Sequence, residues 1–173
     1  MHLRLPTPRQ FLLSLMLLPT VPDRPDATGA LTVAGTIALT ASPGSGPGTD
    51  AAGRAAFIGE SRGKNQSTGK AEFMNGAVVT TADTSRLADG SGPHQGTITL
   101  SKGDDQVVLA WSGQVTTVLA SDKTTRSTFA GTWTALRGSG RYSGVRGQGG
   151  YEGRFTTPSA TQSVIEWEGT IDR

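Results

Sequence analysis

In five strand-like runs of the chain an aromatic residue is followed, one spacer later, by glycine. The steps are FIG (Phe57–Gly59), WSG (Trp111–Gly113), FAG (Phe129–Gly131), YEG (Tyr151–Gly153) and WEG (Trp167–Gly169). Residues two apart in an extended chain point to the same side. Each step therefore sets a large ring and a bare Cα on one face. Glycine leaves a gap that a ring from the next strand can cover, and it lets the strand coil sharply. A sheet made of such strands can bend into a small barrel and fill its own lumen.

The two faces of these runs differ in chemistry. One carries Phe57, Val107, Leu109, Trp111, Val115, Phe129, Trp133, Tyr151, Phe155, Ile165, Trp167 and Ile171. The other carries Glu60, Arg62, Ser112, Gln114, Thr132, Thr134, Glu152, Arg154, Glu166 and Glu168. In water the first set belongs inside and the second outside. Fully burying one large apolar side chain contributes roughly 1.5–3 kcal/mol. The outer charges Glu152, Arg154, Glu166 and Glu168 are expected to form solvated cross-strand pairs.

Eight strand-like runs are predicted, over residues 54–61, 69–74, 77–86, 96–101, 106–115, 127–136, 144–155 and 163–171. Turn signals separate them: NQSTG, Asn75–Gly76, ADGSGP, KGDD, ASDKTT, RGSG and TPSAT. Most gaps are short, so neighbours should be antiparallel hairpins. No run keeps a helical period. The expected fold is all-β, a single antiparallel up-and-down barrel of about eight strands, closed so that no edge is exposed.

The glycine-rich stretch GSGRYSGVRGQGGYEG (Gly138–Gly153) belongs to this pattern. Tyr142, Val145 and Tyr151 interrupt it at strand-like positions, so it is no linker. Its glycines do not fall in a dinucleotide fingerprint, and no helix follows to receive a phosphate. It reads as a tight turn followed by a strongly bent strand.

Composition excludes several function classes. There is no cysteine, hence no disulfide, thiolate metal site or cysteine nucleophile. The net charge is +2, without a basic stripe or cluster, so nucleic acid is not an expected partner. Residues 1–30 read as a signal-like leader. The basic start MHLRLPTPRQ precedes the eleven-residue apolar run FLLSLMLLPTV. That run is shorter than a membrane-crossing helix requires, so no membrane span is expected in the mature chain. Export to the periplasm or the exterior follows as an expectation, although DATGA lacks a clean A-x-A cleavage site. Residues 31–53 hold LTVAGTIALTA, a candidate extra strand or a continuation of the leader, and the Gly/Pro/Ser-rich spacer SPGSGPGTDAAG. The barrel domain is expected over 54–173.

The segments GSGPHQGTITLSKGDDQVVLAWSGQV, FAGTWTALRGSGRYSGVRGQGGYEGRF and EWEGTID together resemble small exported bacterial β-barrels. GTW followed by GSGRYSGVRGQGGYEG is similar to the GGTG-[KR]-[FY]-x-G-x-x-G segment of the allene oxide cyclase-like and dirigent-like barrels. The resemblance covers about residues 55–172. It implies a barrel that holds a hydrophobic substrate, and an association into dimers or trimers. Dirigent-like members are described as using Asp, Arg and Tyr in the pocket, and cyclase-like members an acidic group with a bound water. Gly138, Gly140, Tyr142, Gly144 and Gly147 match the motif, and they carry the turn and strand; no functional residue transfers.

The candidate ligand-binding residues are Trp111, Phe129, Trp133, Tyr151 and Trp167, which could wall a pocket for a flat or apolar molecule. An eight-stranded barrel is just wide enough to be filled by side chains or to hold one small ligand. His94, after Pro93, is expected at a turn on the rim; a lone histidine cannot build a multi-histidine metal site. Asp104 and Asp105 in KGDDQ offer too few oxygens for calcium. Neither metal nor cofactor is expected, and no Ser/His/Asp arrangement is evident. Expected function is binding of a small apolar molecule or a structural role in the cell envelope. The alternative is a cyclase or isomerase of the allene oxide cyclase type, whose acid or base would come from Glu72, Asp83, Arg86, Tyr142 or Tyr151. A structural barrel could also assemble through its Thr-rich outer strands.

Overall fold

The computed structural model describes residues 29–157 and 159–173. The leader read over residues 1–30 lies, up to residue 28, outside the described residues. The described chain runs through β1 (Leu31–Ala41), β2 (Gly46–Thr49), β3 (Ala55–Ser67), β4 (Val78–Ser85), β5 (Gly92–Lys102), β6 (Asp105–Leu119), β7 (Thr125–Ser139), β8 (Arg146–Phe155) and β9 (Gln162–Asp172). One turn of 3-10 helix, Gly140–Tyr142, joins β7 to β8.

From β3 to β9 each strand pairs antiparallel with the next. β1 closes the circle by pairing with β9 on one side (Ile37 opposite Ile165) and β3 on the other (Ile37 opposite Asn65). The result is a closed antiparallel eight-stranded barrel plus one extra strand. The extra strand is β2, which lies along the start of β3 with Gly46 opposite Ile58. LTVAGTIALTA is thus a full member of the wall, and the barrel starts at Leu31 rather than near Arg54. The reason is in its alternation. Val33, Gly35, Ile37 and Leu39 are buried, while their neighbours are exposed or half-buried. Without it, β3 and β9 would each present an open edge.

A second correction concerns residues 69–74, which form no strand. Met74 and Gly76 adopt left-handed backbone (φ +49° and +75°), which ends an extended run. Side chains hold much of the segment's polar backbone in place of a ladder. The Asn65 amide, fully buried, donates to the carbonyls of Phe73 and Met74, both at 3.0 Å. The Phe73 N–H donates to the Ser67 hydroxyl, and the Met74 N–H to the Tyr142 hydroxyl. Phe73 meets the Tyr142 ring edge-on, with centroids 5.3 Å apart. This connection therefore folds across the lower end of the barrel as a floor. The turn read in the glycine-rich stretch is present, with Gly140 and Gly144 at φ +61° and +79° aiming Tyr142 into that floor.

The facing pattern holds with one exception. All ten residues expected outside are exposed. Inside, Val107, Leu109, Val115, Phe129, Trp133, Trp167 and Ile171 are buried, and Trp111, Tyr151, Phe155 and Ile165 are half-buried. Phe57 is 44% exposed. It keeps the inward register, opposite Ser85, but stands where β3 rises past the wall beside β2. The outer charges are solvated without the expected pairing. Glu152 lies opposite Glu166, Glu168 opposite Gly150 and Arg154 opposite Val164, so the register brings no opposite charges together.

Candidate functional site

The lumen keeps a cavity of about 130 Å³ above the floor. All five candidate binding residues, Trp111, Phe129, Trp133, Tyr151 and Trp167, line it. Phe73, Leu100, Leu109, Trp133 and Trp167, in its lower part, are buried. Ser61, Phe155 and Ser163, toward the upper rim, are half-buried. Among the described residues, the upper connections at 86–91, 120–124, 156–157 and 159–161 contribute nothing to the lining. The cavity thus opens upward and is shut below.

The aromatic–glycine steps explain how the rings are held. Tyr151 on β8 lies over Gly131 on β7 and Gly113 on β6. A Cβ at either glycine would meet its hydroxyl at 2.6 or 2.5 Å. Across those two bare strands the phenol reaches His94 on β5, with Oη 3.0 Å from Nε2. Trp133 does the same over Gly149 and Gly169, and its Nε1 donates to the Glu168 carbonyl at 3.1 Å. Trp167 passes over Gly35 on β1, and its Nε1 donates to Asn65 Oδ1 on β3 at 3.0 Å. Each ring crosses a glycine and finds a polar partner beyond it. Asn65 thereby ties the floor to the wall; the sequence places it in the turn signal NQSTG, whereas β3 runs on to Ser67 and keeps Asn65 buried near its end.

Trp111 rests the same edge of its indole on Gly96, where a Cβ would come within 2.8 Å of Cζ2. Beyond Gly96 lies Asp83 on β4, directly opposite it in register. Here the pattern breaks. No hydrogen bond joins Trp111 to Asp83, and neither group has another residue's side chain or backbone bonded to it among the described residues. The Asp83 carboxyl leans over Gly59 of β3, where a Cβ would meet Oδ1 at 2.7 Å.

His94 departs from expectation. It is no rim residue but a buried member of β5, 8% exposed, opposite Gly113. Its ring packs edge-on against Trp111 and Phe129, with centroids at 4.7 and 5.7 Å. Pro93 does not force a turn, because it is the second residue of its strand, where proline is tolerated. Burial lowers the imidazole pKa to about 4, so the ring is uncharged at neutral pH. Burial also pushes the Tyr151 phenol well up and the Asp83 carboxyl up. These shifts share one physical cause, a lumen that solvates charge poorly.

Of the five acid or base candidates, the structure brings Asp83 and Tyr151 to the cavity. Glu72 is exposed near Lys102 outside the floor. Arg86 pairs with Asp50 at 3.1 Å on the rim. Tyr142 is spent in the floor, its hydroxyl taken by Met74. Asp105 holds Arg141 across the lower turns at 2.7 Å and stands apart from the cavity. Trp111, Phe129, Tyr151 and His94 form an upper tier of rings, and Trp133 and Trp167 a lower one, 6.3 Å apart and edge-to-face.

No family model, curated protein or solved structure matches the chain.

Proposed function

We propose that the barrel binds one small, largely apolar molecule in its lumen. A single observation carries this reading: the rings wall a cavity of about 130 Å³ rather than filling it. A comparable apolar cavity of about 150 Å³ in another protein holds benzene. A barrel with a purely structural role in the envelope would gain more from a packed lumen, since each void forfeits contacts. Native mass spectrometry of gently purified protein tests the proposal. A stoichiometric added mass of small-molecule size is the expected result. A bare chain that also takes up no benzene or indole from saturated buffer would overturn it.

A second reading, a cyclase or isomerase acting on a hydrophobic substrate, is favoured by Asp83, an acid facing the cavity with a raised pKa. Such groups are suited to proton transfer near neutral pH. Returning the extracted molecule to the protein distinguishes the two. An isomerase shifts its chromatographic retention at constant mass, and Asp83→Asn abolishes the shift; a binding protein leaves it unaltered.

A further inference from the structure

Among the residues lining the cavity Asp83 is the one acid, and no lysine or arginine joins it. His94 is the other group there that could carry charge in the ordinary pH range, and it is neutral. The lumen therefore holds a carboxyl with no counter-charge, set over Gly59 and across Gly96 from the Trp111 edge. An unpaired carboxylate in such a place is unfavourable unless something pairs with it. The other three cross-lumen groups, on Tyr151, Trp133 and Trp167, are each satisfied from within the protein. At the fourth, the Trp111–Gly96–Asp83 position, the carboxyl is bonded by its own backbone N–H and by no other described residue.

We propose that the ligand is a protonated amine with a compact apolar or aromatic body, its ammonium group set against Asp83 and its body against Trp111, Phe129 and Tyr151. This rests on the reading of the lumen as a binding site. It narrows the ligand to one charge type. Anions are excluded by the carboxylate, and neutral molecules leave it unpaired.

Three probes of nearly equal shape test it: benzylamine, benzyl alcohol and toluene, titrated against the full chain while its tryptophan fluorescence is followed. Calorimetry gives the stoichiometry. Benzylamine is expected to bind at least tenfold more tightly than the other two at pH 7. In Asp83→Asn that preference disappears while toluene binding persists. The asparagine is isosteric and removes a buried charge, so the fold should survive; circular dichroism checks this. Should the variant not fold, the three-probe comparison on the unaltered chain still decides. Equal affinities for all three, or tighter binding of the alcohol, overturn the inference and leave the lumen a neutral pocket. Binding of none of the three overturns both the inference and the reading beneath it.

Acid should also weaken benzylamine binding. The titratable groups facing Asp83 are His94 on β5 and Tyr151 on β8, while β3 and β6 present Gly59, Ser61, Leu109 and Trp111 there. Protonating Asp83 removes the attraction, and protonating His94 adds repulsion. Both act in one direction, so the asparagine substitution assigns the effect to Asp83.

Discussion

His94 shows how far a single residue's surroundings can redirect its chemistry. Its neighbours are Trp111, Phe129 and the Tyr151 hydroxyl, and its pKa falls from 6.5 to about 4. The unfolded chain then binds a proton that the folded chain refuses between those two values. Stability therefore rises with pH across that window and is lost as pH falls from about 6.5 toward 4. The shift corresponds to at most about 3 kcal/mol, and solvent screening keeps the loss below that. Urea unfolding at pH 7 and pH 4.5 should show the drop, and His94→Gln should flatten it. Asp83 works in the opposite sense, since its raised pKa makes it a destabilising group above its unfolded value. The sequence made the five aromatic candidates legible because each sits at a fixed spacing from a glycine. It hid His94, because a proline beside a histidine reads as a turn, and it marked Asp83 as one of five acid or base candidates without singling it out.

At the scale of elements, the working unit is a ring lying over the next strand's glycine. Gly169 illustrates the constraint. A Cβ there would meet Trp133 Cζ2 at 2.5 Å, with the Gln148 carbonyl and Gly149 also within reach. None of these is the loose end of a flexible chain, so Gly169→Ala should destabilise by about 1–3 kcal/mol through overpacking. Thermal unfolding would read it, and Gly44→Ala, where the added Cβ meets nothing but φ is +95°, gives a comparison that isolates backbone strain. The alternation of β6, β7 and β9 was legible because both of its faces are chemically marked. The segment 69–74 was misread as a strand because Ala71 and Phe73 alternate with Lys70 and Glu72 in a strand-like way. What overrides that alternation is Asn65, which captures two carbonyls from eight and nine residues away. A partner so placed leaves no mark in a local pattern.

For the molecule as a whole, closure depends on β1, and β1 is the strand that the sequence placed least firmly. It follows an apolar leader-like run and precedes a Gly/Pro/Ser-rich stretch, so its composition blends with both. Yet it supplies pairing partners to two strands at once, ten residues of it to β9 and seven to β3. A chain cut to begin at Arg54 would have two open edges and would lose Val33, Ile37 and Leu39 from the core. Such a chain is expected to be insoluble or to associate through those edges, whereas one beginning at Gly29 should stay folded. Size-exclusion chromatography with near-ultraviolet dichroism would separate the two outcomes. The eight-strand total was reached in the sequence reading by one strand too many at 69–74 and one too few at the start, an offset that left the fold class intact.

The floor built from Phe73, Met74 and Tyr142 has a kinetic consequence. With the base sealed, arrival and departure must share the upper mouth, and a resident molecule has to leave before another can take its place. A newcomer cannot push it out from behind. Release should therefore proceed at its own pace however concentrated the competitor, making the barrel a holder that exchanges its contents one at a time rather than a conduit.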